Sequence, residues 1–295
     1  MRNQLKTILL FGVLSALLIG IGGAVAPRFL GLFVVLAAAM NLAAYFFSDK
    51  LVLRMYGARE LAPGEAPELH AMVQGLSDRA GIPMPRLYLV GGAQPNAFAT
   101  GRNPAHGAVA VTEGLLEALD AREVRGVLAH EIAHIANRDI LVSTVAAILA
   151  SAIASIANVL SFSWMFGGHA EDEDGGNPLA GLVMILFAPL AATLVQLAIS
   201  RSRELRADEV GARIAGDPEG LARALERLDA TAKRLPAHVS PGTASLFIVN
   251  PFGALDSVAR WFSTHPPIGE RVARLRAMAP GRPRRAFARD LRAAR

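Results

Sequence analysis

The chain opens on two long runs of apolar residues and only later settles into segments whose apolar positions recur at helix or strand spacing. Residues 8–26 and 29–47 carry no charge, and only Pro27 and Arg28 stand between them. Each is long enough to cross a hydrocarbon layer of about 30 Å, so together they read as a transmembrane hairpin. A secretory signal peptide is the rival reading of the first run. That run is longer than the ~7–15-residue apolar core of a signal peptide, however, and a second one follows at once. Residues 140–168 and 177–200 are also uncharged and long enough to span, with spans near 140–162 and 178–200 on either side of Glu171, Asp172, Glu173 and Asp174. Four spans is the resulting count. A pair of buried helices, or a hairpin that only dips into the bilayer, is the other reading of this second pair, because Ser, Asn and Gly thin its first member.

The segments between and after the runs have the patterning of a folded domain. Residues 65–80 place Leu69, Met72, Val73 and Leu76 at helical spacing, stopped by Gly81 and Pro83. Residues 86–90 alternate as a short strand, and residues 96–100 and 107–112 read as two more, joined by a turn over 101–104. Leu115, Leu116, Leu119, Val124, Val127 and Leu128 then recur at helical spacing. Helices are predicted again over 203–214 and 218–235, and a last one is opened by Pro266 and Pro267. The organisation is therefore an apolar hairpin over 1–47, a small sheet with helices over 48–139, a second apolar hairpin over 140–200 and a helical part over 201–295. Gly20 to Gly23 read as helix packing and not as a phosphate loop, since no strand precedes them.

Charge orients this arrangement. Arg2 and Lys6 precede the first run, Lys50, Arg54 and Arg59 follow the second, and Arg201, Arg203 and Arg206 follow the fourth, whereas the loop between the third and fourth has no Lys or Arg. The positive-inside rule puts the basic ends, both termini and both soluble parts in the cytoplasm. The same bias accounts for the net charge of +5 better than nucleic-acid binding does, since no aromatic residues are interleaved with the basic runs. Residues 281–295 hold six arginines and one acid; they suit either anionic headgroups or a solvated, frayed end. The runs contain no ionisable residues, which argues against a transporter or channel.

His130-Glu131-Ile132-Ala133-His134 carries the chemistry. On a helix, H-E-x-x-H sets two imidazoles on one face, able to hold zinc, with the glutamate as general base. Two histidines without a metal on an amphipathic helix is the plain alternative. A catalytic zinc site needs a third protein ligand, and the chain has no cysteine. The candidates are His70, His106, His169, His238, His265 and the carboxylates. Glu204 stands just after the fourth run with Asp208 one turn further on, a spacing that suits one carboxylate on the metal and a second orienting a ligand imidazole. A salt-bridged helix, with Arg201, Arg203 and Arg206 pairing Glu204, Asp208 and Glu209, fits the same residues. On spacing alone both readings stand.

The order of Asn96-Ala97-Phe98-Ala99-Thr100-Gly101, Val111-Thr112-Glu113-Gly114-Leu115, the H-E-x-x-H motif, Ser200-Arg201-Ser202-Arg203-Glu204-Leu205-Arg206-Ala207-Asp208 and Thr264-His265-Pro266-Pro267 resembles the HtpX-type integral-membrane zinc endopeptidases, relatives of the CaaX prenyl protease. The resemblance runs over nearly the whole chain; the arginine-rich tail is not part of it. It implies a multi-pass α-helical protein of the cell inner membrane with a cytoplasmic gluzincin-like α+β metalloprotease domain, one zinc per subunit, and Glu204 as third ligand. It further implies a stress-related role in clearing misfolded or damaged membrane proteins. His265 becomes the candidate to stabilise the oxyanion, with helix capping as its alternative. An exposed strand edge, either Asn96, Ala97 and Phe98 or the strand of Val109 and Val111, would add the substrate as a further strand; Asn96 reads equally as a structural loop residue. A CaaX-type processing peptidase and a non-catalytic zinc-stabilised scaffold are the alternative functions.

Overall fold

The computed structural model describes residues 27–145, 148, 201–234, 246–248 and 266–278, together with residues 5, 8, 9, 11, 12, 15, 16, 19, 20 and 23 of the first apolar run. The expected spans over 140–162 and 178–200, and His169, His238, His265 and the arginine-rich tail, lie outside the described residues, apart from positions 140–145 and 148 at the start of the third run.

A single 3-10 turn, Pro27–Phe29, leads into helix α1, Leu30–Met55. Among the described residues this is the one helix long and apolar enough to cross a membrane, with a mean hydropathy of 2.1 and 6% of its most apolar stretch buried. It runs beyond the uncharged stretch through Asp49, Lys50 and Arg54, and the extra turns serve to anchor it: Val52 and Leu53 pack with Tyr88, Val90, Phe98, Ala108 and Ala110 on one face of the sheet. Nearer its middle, the Asn41 amide donates to the Ser15 hydroxyl at 2.7 Å and to the Phe11 carbonyl at 3.4 Å. Polar side chains bonded between apolar helices in this way are a recognised glue in membranes.

Among the described residues the sheet holds four strands, β1 (Arg59–Glu60), β2 (Arg86–Val90), β3 (Ala97–Thr100) and β4 (Ala108–Thr112), in the order β1-β2-β4-β3. β2 and β4 are parallel, in register Arg86 with Ala108, and β3 returns antiparallel to β4 with Phe98 opposite Ala110. Strand alternation sends successive side chains to opposite faces. Leu87, Ala97, Ala99, Val109 and Val111 therefore face the helical core while their neighbours face α1. β4 is paired on both edges and Val109 and Val111 are fully buried. Of the two strands considered for adding a substrate, the outer one is β3.

Helix α2 (Pro67–Ala80) ends where Gly81 adopts a left-handed conformation, φ 66, as the Gly-Pro signal predicts. The apolar run after β4 forms two helices, α3 (Glu113–Ala118) and α4 (Ala121–Ala136), where the spacing of its leucines and valines had continued across. The interruption is a capping box: Asp120 accepts from the Glu123 N–H at 2.9 Å and Glu123 accepts from the Asp120 N–H at 3.0 Å. Two orphan N–H groups are satisfied reciprocally, which starts α4 afresh at the angle that carries the H-E-x-x-H motif inward. Helices α5 (Arg201–Ala215), α6 (Pro218–Arg234) and α7 (Ile268–Ala277) complete the described core. α5 and α6 lie directly against α4 because glycine permits it. A Cβ on Gly211 would come within 2.9 Å of the His130 backbone, and one on Gly126 within 2.5 Å of the Leu221 nitrogen.

Candidate metal centre

The close approach at Gly211 decides what α5 brings to α4. Glu204, Asp208 and Gly211 fall at i, i+4 and i+7, one face of a helix. The glycine touching His130 therefore aims the two carboxylates at the same histidine. Asp208 Oδ1 stands 3.0 Å from His130 Nδ1. Glu204 reaches over both rings, with Oε2 3.7 Å from His130 Nε2 and Oε1 3.6 Å from His134 Nε2. The two Nε2 atoms are 3.2 Å apart. Around a tetrahedral ion with bonds of about 2.0–2.2 Å, ligand atoms sit roughly 3.3–3.6 Å from one another, so these separations are those of a zinc-sized site. Among the described residues, His130, His134 and Glu204 are the group of three that can hold a metal ion.

Each imidazole is oriented through its other nitrogen. Asp208 serves His130, and Asp139 Oδ2 lies 3.5 Å from His134 Nδ1. With the ring proton drawn to Nδ1, the Nε2 lone pair is left facing the shared point, the arrangement that carboxylates commonly impose on metal-bound histidines. Asp139 arrives there by a helix ending. Arg138 takes a left-handed conformation, φ 58, and the Asp139 N–H donates to the His134 carbonyl at 3.0 Å, so the chain folds back on the last turn of α4. Asp208 is in turn gripped by Arg271 of α7, fully buried, whose Nε and Nη2 donate at 2.8 and 2.7 Å.

The electrostatics call for positive charge at the shared point. Burial alone would lower the His134 pKa, but Glu204 and the Asp139 hydrogen bond outweigh it and hold it up at about 9. Near neutral pH that ring keeps a proton where a dication would replace it. Burial would likewise raise the Asp208 carboxyl, yet the Arg271 guanidinium and His130 hold it far below the usual carboxylate range. For Glu131 burial prevails: desolvation pushes its carboxyl up against the opposing pull of His130 and His134, and the Ala99 backbone hydrogen-bonds to it. Glu131 is thereby set between the histidines and strand β3. The donor set of two imidazoles, each oriented from behind by a carboxylate, with one further carboxylate and no thiolate, fits a zinc ion.

Of the residues predicted for this site, His130, Glu131, His134, Glu204 and Asp208 come together, and Phe98 lines the cleft above them. Ala97 lies beside it on β3, whereas Val109 and Val111 lie one strand further in. Asn96 is buried, and its amide is taken by the chain's own backbone: Nδ2 donates to the Leu246 carbonyl at 3.3 Å and Oδ1 accepts from the Ile248 N–H at 3.2 Å. Asp139 and Arg271 escaped the sequence reading. Asp139, five residues after His134, was visible as an acid near a predicted ligand, but nothing local ties Arg271 to Asp208 across 63 residues. His70 bonds to the Ala66 carbonyl and His106 to Asn103, so neither joins the cluster.

A profile of Peptidase family M48 matches residues 63–279. The chain is 54% identical over 280 residues to a protein named Protease HtpX homolog from Pelotomaculum thermopropionicum, covering 94% of this chain and 99% of that one. It is 52% identical to the protein of the same name from a Sulfurihydrogenibium species, covering 95% and 99%. A third, from Ralstonia nicotianae, is 50% identical, covering 95% and 98%. The crystal structure of S. mikatae Ste24p aligns with a TM-score of 0.49 at 21% identity, over 90% of this chain and 65% of that one.

Proposed function

The chain belongs to peptidase family M48 and is a metallopeptidase, and from that premise we propose that it is a zinc endopeptidase of the cell inner membrane. In this reading it cleaves misfolded or damaged membrane proteins on the cytoplasmic side, as part of quality control under stress. The observation that carries the reading is the convergence of His130, His134 and Glu204 on one point, with Glu131 beside it and the outer strand β3 within hydrogen-bonding reach of Glu131. The exposed apolar helix α1 and the basic residues that follow it support the membrane setting and its orientation.

When bound, zinc supplies Lewis acidity that brings the pKa of a water toward neutrality and polarises the scissile carbonyl. The chain's residues do the rest. His130 and His134 present Nε2 because Asp208 and Asp139 occupy Nδ1, and Glu204 offsets part of the positive charge. Glu131 accepts the water proton and hands it to the leaving amine. Burial raises the Glu131 pKa, which makes its carboxylate a stronger base toward that proton than an exposed one would be. Ala97 and Phe98 of β3 align the substrate as an added strand, and His265 is assigned to the oxyanion.

The test is cleavage of unfolded casein by metal-free protein in detergent after zinc is added, alongside Glu131→Gln. The variant retains zinc and its fold and loses about 10²- to 10⁴-fold in rate, since an amide cannot accept the proton. Cleavage at the wild-type rate by Glu131→Gln overturns the mechanism.

A further inference from the structure

A second site stands away from the metal centre, where α1 meets the sheet. The face of α1 carrying Leu42, Ala43 and Phe46 borders a cleft of about 710 Å³ that is also lined by Lys50, Arg86, Arg102 and His106. That volume is within the ~300–1,000 Å³ typical of small-ligand sites. The basic residues are scattered in sequence and gathered by the fold. Because β2 and β4 are parallel and paired Arg86 with Ala108, the start of β2 lies beside the 101–107 connection, and the Arg86 N–H donates to the Gly107 carbonyl at 3.1 Å.

The cations are held in place. Arg102 lies 5.5 Å above the Phe46 ring, Lys50 5.6 Å above Phe47, and Arg86 5.6 Å above Tyr88. Aromatic faces hold a cation without neutralising it. Among the described residues, Asp49 is the one carboxylate lining the cleft; it lies 3.3 Å from Arg86 and leaves Lys50, Arg86 and Arg102 in clear excess.

We propose that this cleft binds an anionic phospholipid, its phosphate among Lys50, Arg86 and Arg102 and the start of an acyl chain along Leu42, Ala43 and Phe46. From Leu42 to Lys50 the helix rises about 12 Å, so apolar and cationic surfaces follow one another along α1 as tail and headgroup do in a lipid. The apolar surface continues upward through Leu36 and Met40, both more than 40% exposed, which a free phosphate would leave uncovered. A zwitterionic headgroup brings its own cation against the three already there, so an anionic lipid is favoured. Basic pockets beside transmembrane helices bind such headgroups by this logic. The bound lipid would join α1 to β2 and the β3–β4 connection, fixing the catalytic sheet at the membrane surface.

The test uses the full chain in nanodiscs of phosphatidylcholine and phosphatidylglycerol in equal parts, with co-purifying lipid read by native mass spectrometry. Wild type retains phosphatidylglycerol preferentially. At about fivefold per cation near an anionic headgroup, Lys50→Gln/Arg102→Gln loses roughly 30-fold of that preference. Arg213→Gln/Arg223→Gln, an equal charge change outside the cleft, keeps it. Ala43→Trp leaves every cation in place and fills the apolar half, so it too lowers retention. Circular dichroism and zinc content at wild-type levels confirm that each variant is folded. The proposal is overturned if the Lys50/Arg102 variant keeps its preference, or if the control loses as much. It is also overturned if Ala43→Trp has no effect while inorganic phosphate competes the lipid away, the behaviour of a bare anion site.

Discussion

Helices α1 and α4 invert the usual placement of side chains in opposite directions. α1 turns Val35 and Leu42 outward at 64% and 60% exposure, whereas α4 buries Glu123, His130 and Glu131 at 2%, 1% and 5%. In water each would be a fault: a continuous apolar face marks a surface that meets a membrane or a partner, and buried ionisable groups persist only when paired or on a metal. α1 is therefore stable by virtue of what surrounds the chain, and α4 by virtue of what the chain itself supplies. Asp208, Asp139, Glu204 and Arg271 are the neighbours that make the face around His130 and Glu131 tolerable, and Arg227 pairs with Glu123 at 2.8 Å.

The contrast predicts different outcomes for changes of similar size. The largest stability loss should follow Arg271→Met, which leaves Asp208 buried without its main counter-charge and costs about 3–5 kcal/mol. Thermal unfolding of the metal-free protein in detergent measures it, and adding Asp208→Asn should recover part of the loss because an amide needs no counter-charge. A loss under about 1 kcal/mol, the scale of a surface ion pair, would contradict the paired core described for α4. Val35→Arg comes next. Near the middle of a membrane span it should impair insertion by about 2.5–3.5 kcal/mol, read as the fraction of chain resisting alkaline extraction. On a water-facing helix the same change stays within about 0.5 kcal/mol, and that result would remove α1 from the bilayer.

A smaller effect follows from His134. Its metal-free pKa, raised from 6.5 to about 9, means that the proton's stabilising contribution to the metal-free fold is complete below pH 6.5 and lost as pH rises through about 9. Zinc must displace that proton, so apparent zinc affinity should rise up to tenfold per pH unit, about 1.4 kcal/mol, between pH 6.5 and 8.5. Calorimetric titration at several pH values checks this; a flat profile would show that His134 is not competing with a proton.

What could be read in the sequence was local. Helix α2 was legible from Leu69, Val73 and Leu76 with Gly81 behind them, and strands β2, β3 and β4 from alternation and glycine turns, because these signals act within a few residues. The pairing of Glu204 and Asp208 was legible as a helical spacing, but its choice between metal site and salt-bridged face depended on Gly211, whose missing side chain lets α5 touch His130. Long-range facts left no such trace. The parallel pairing of β2 with β4, the reach of Arg271 to Asp208 and the capture of Asn96 by residues 246–248 each join segments far apart in sequence. The split between α3 and α4 was written locally, in Asp120 and Glu123, but the apolar spacing runs through it and masks it.

Zinc K-edge X-ray absorption on the loaded protein reports whether His130, His134 and Glu204 hold the ion. The expected result is one zinc per chain with two imidazole nitrogens and carboxylate oxygen at about 2.0–2.2 Å, and loss of the carboxylate contribution with weakened retention in Glu204→Ala. An unchanged spectrum and undiminished zinc in Glu204→Ala would contradict it and move the third ligand elsewhere.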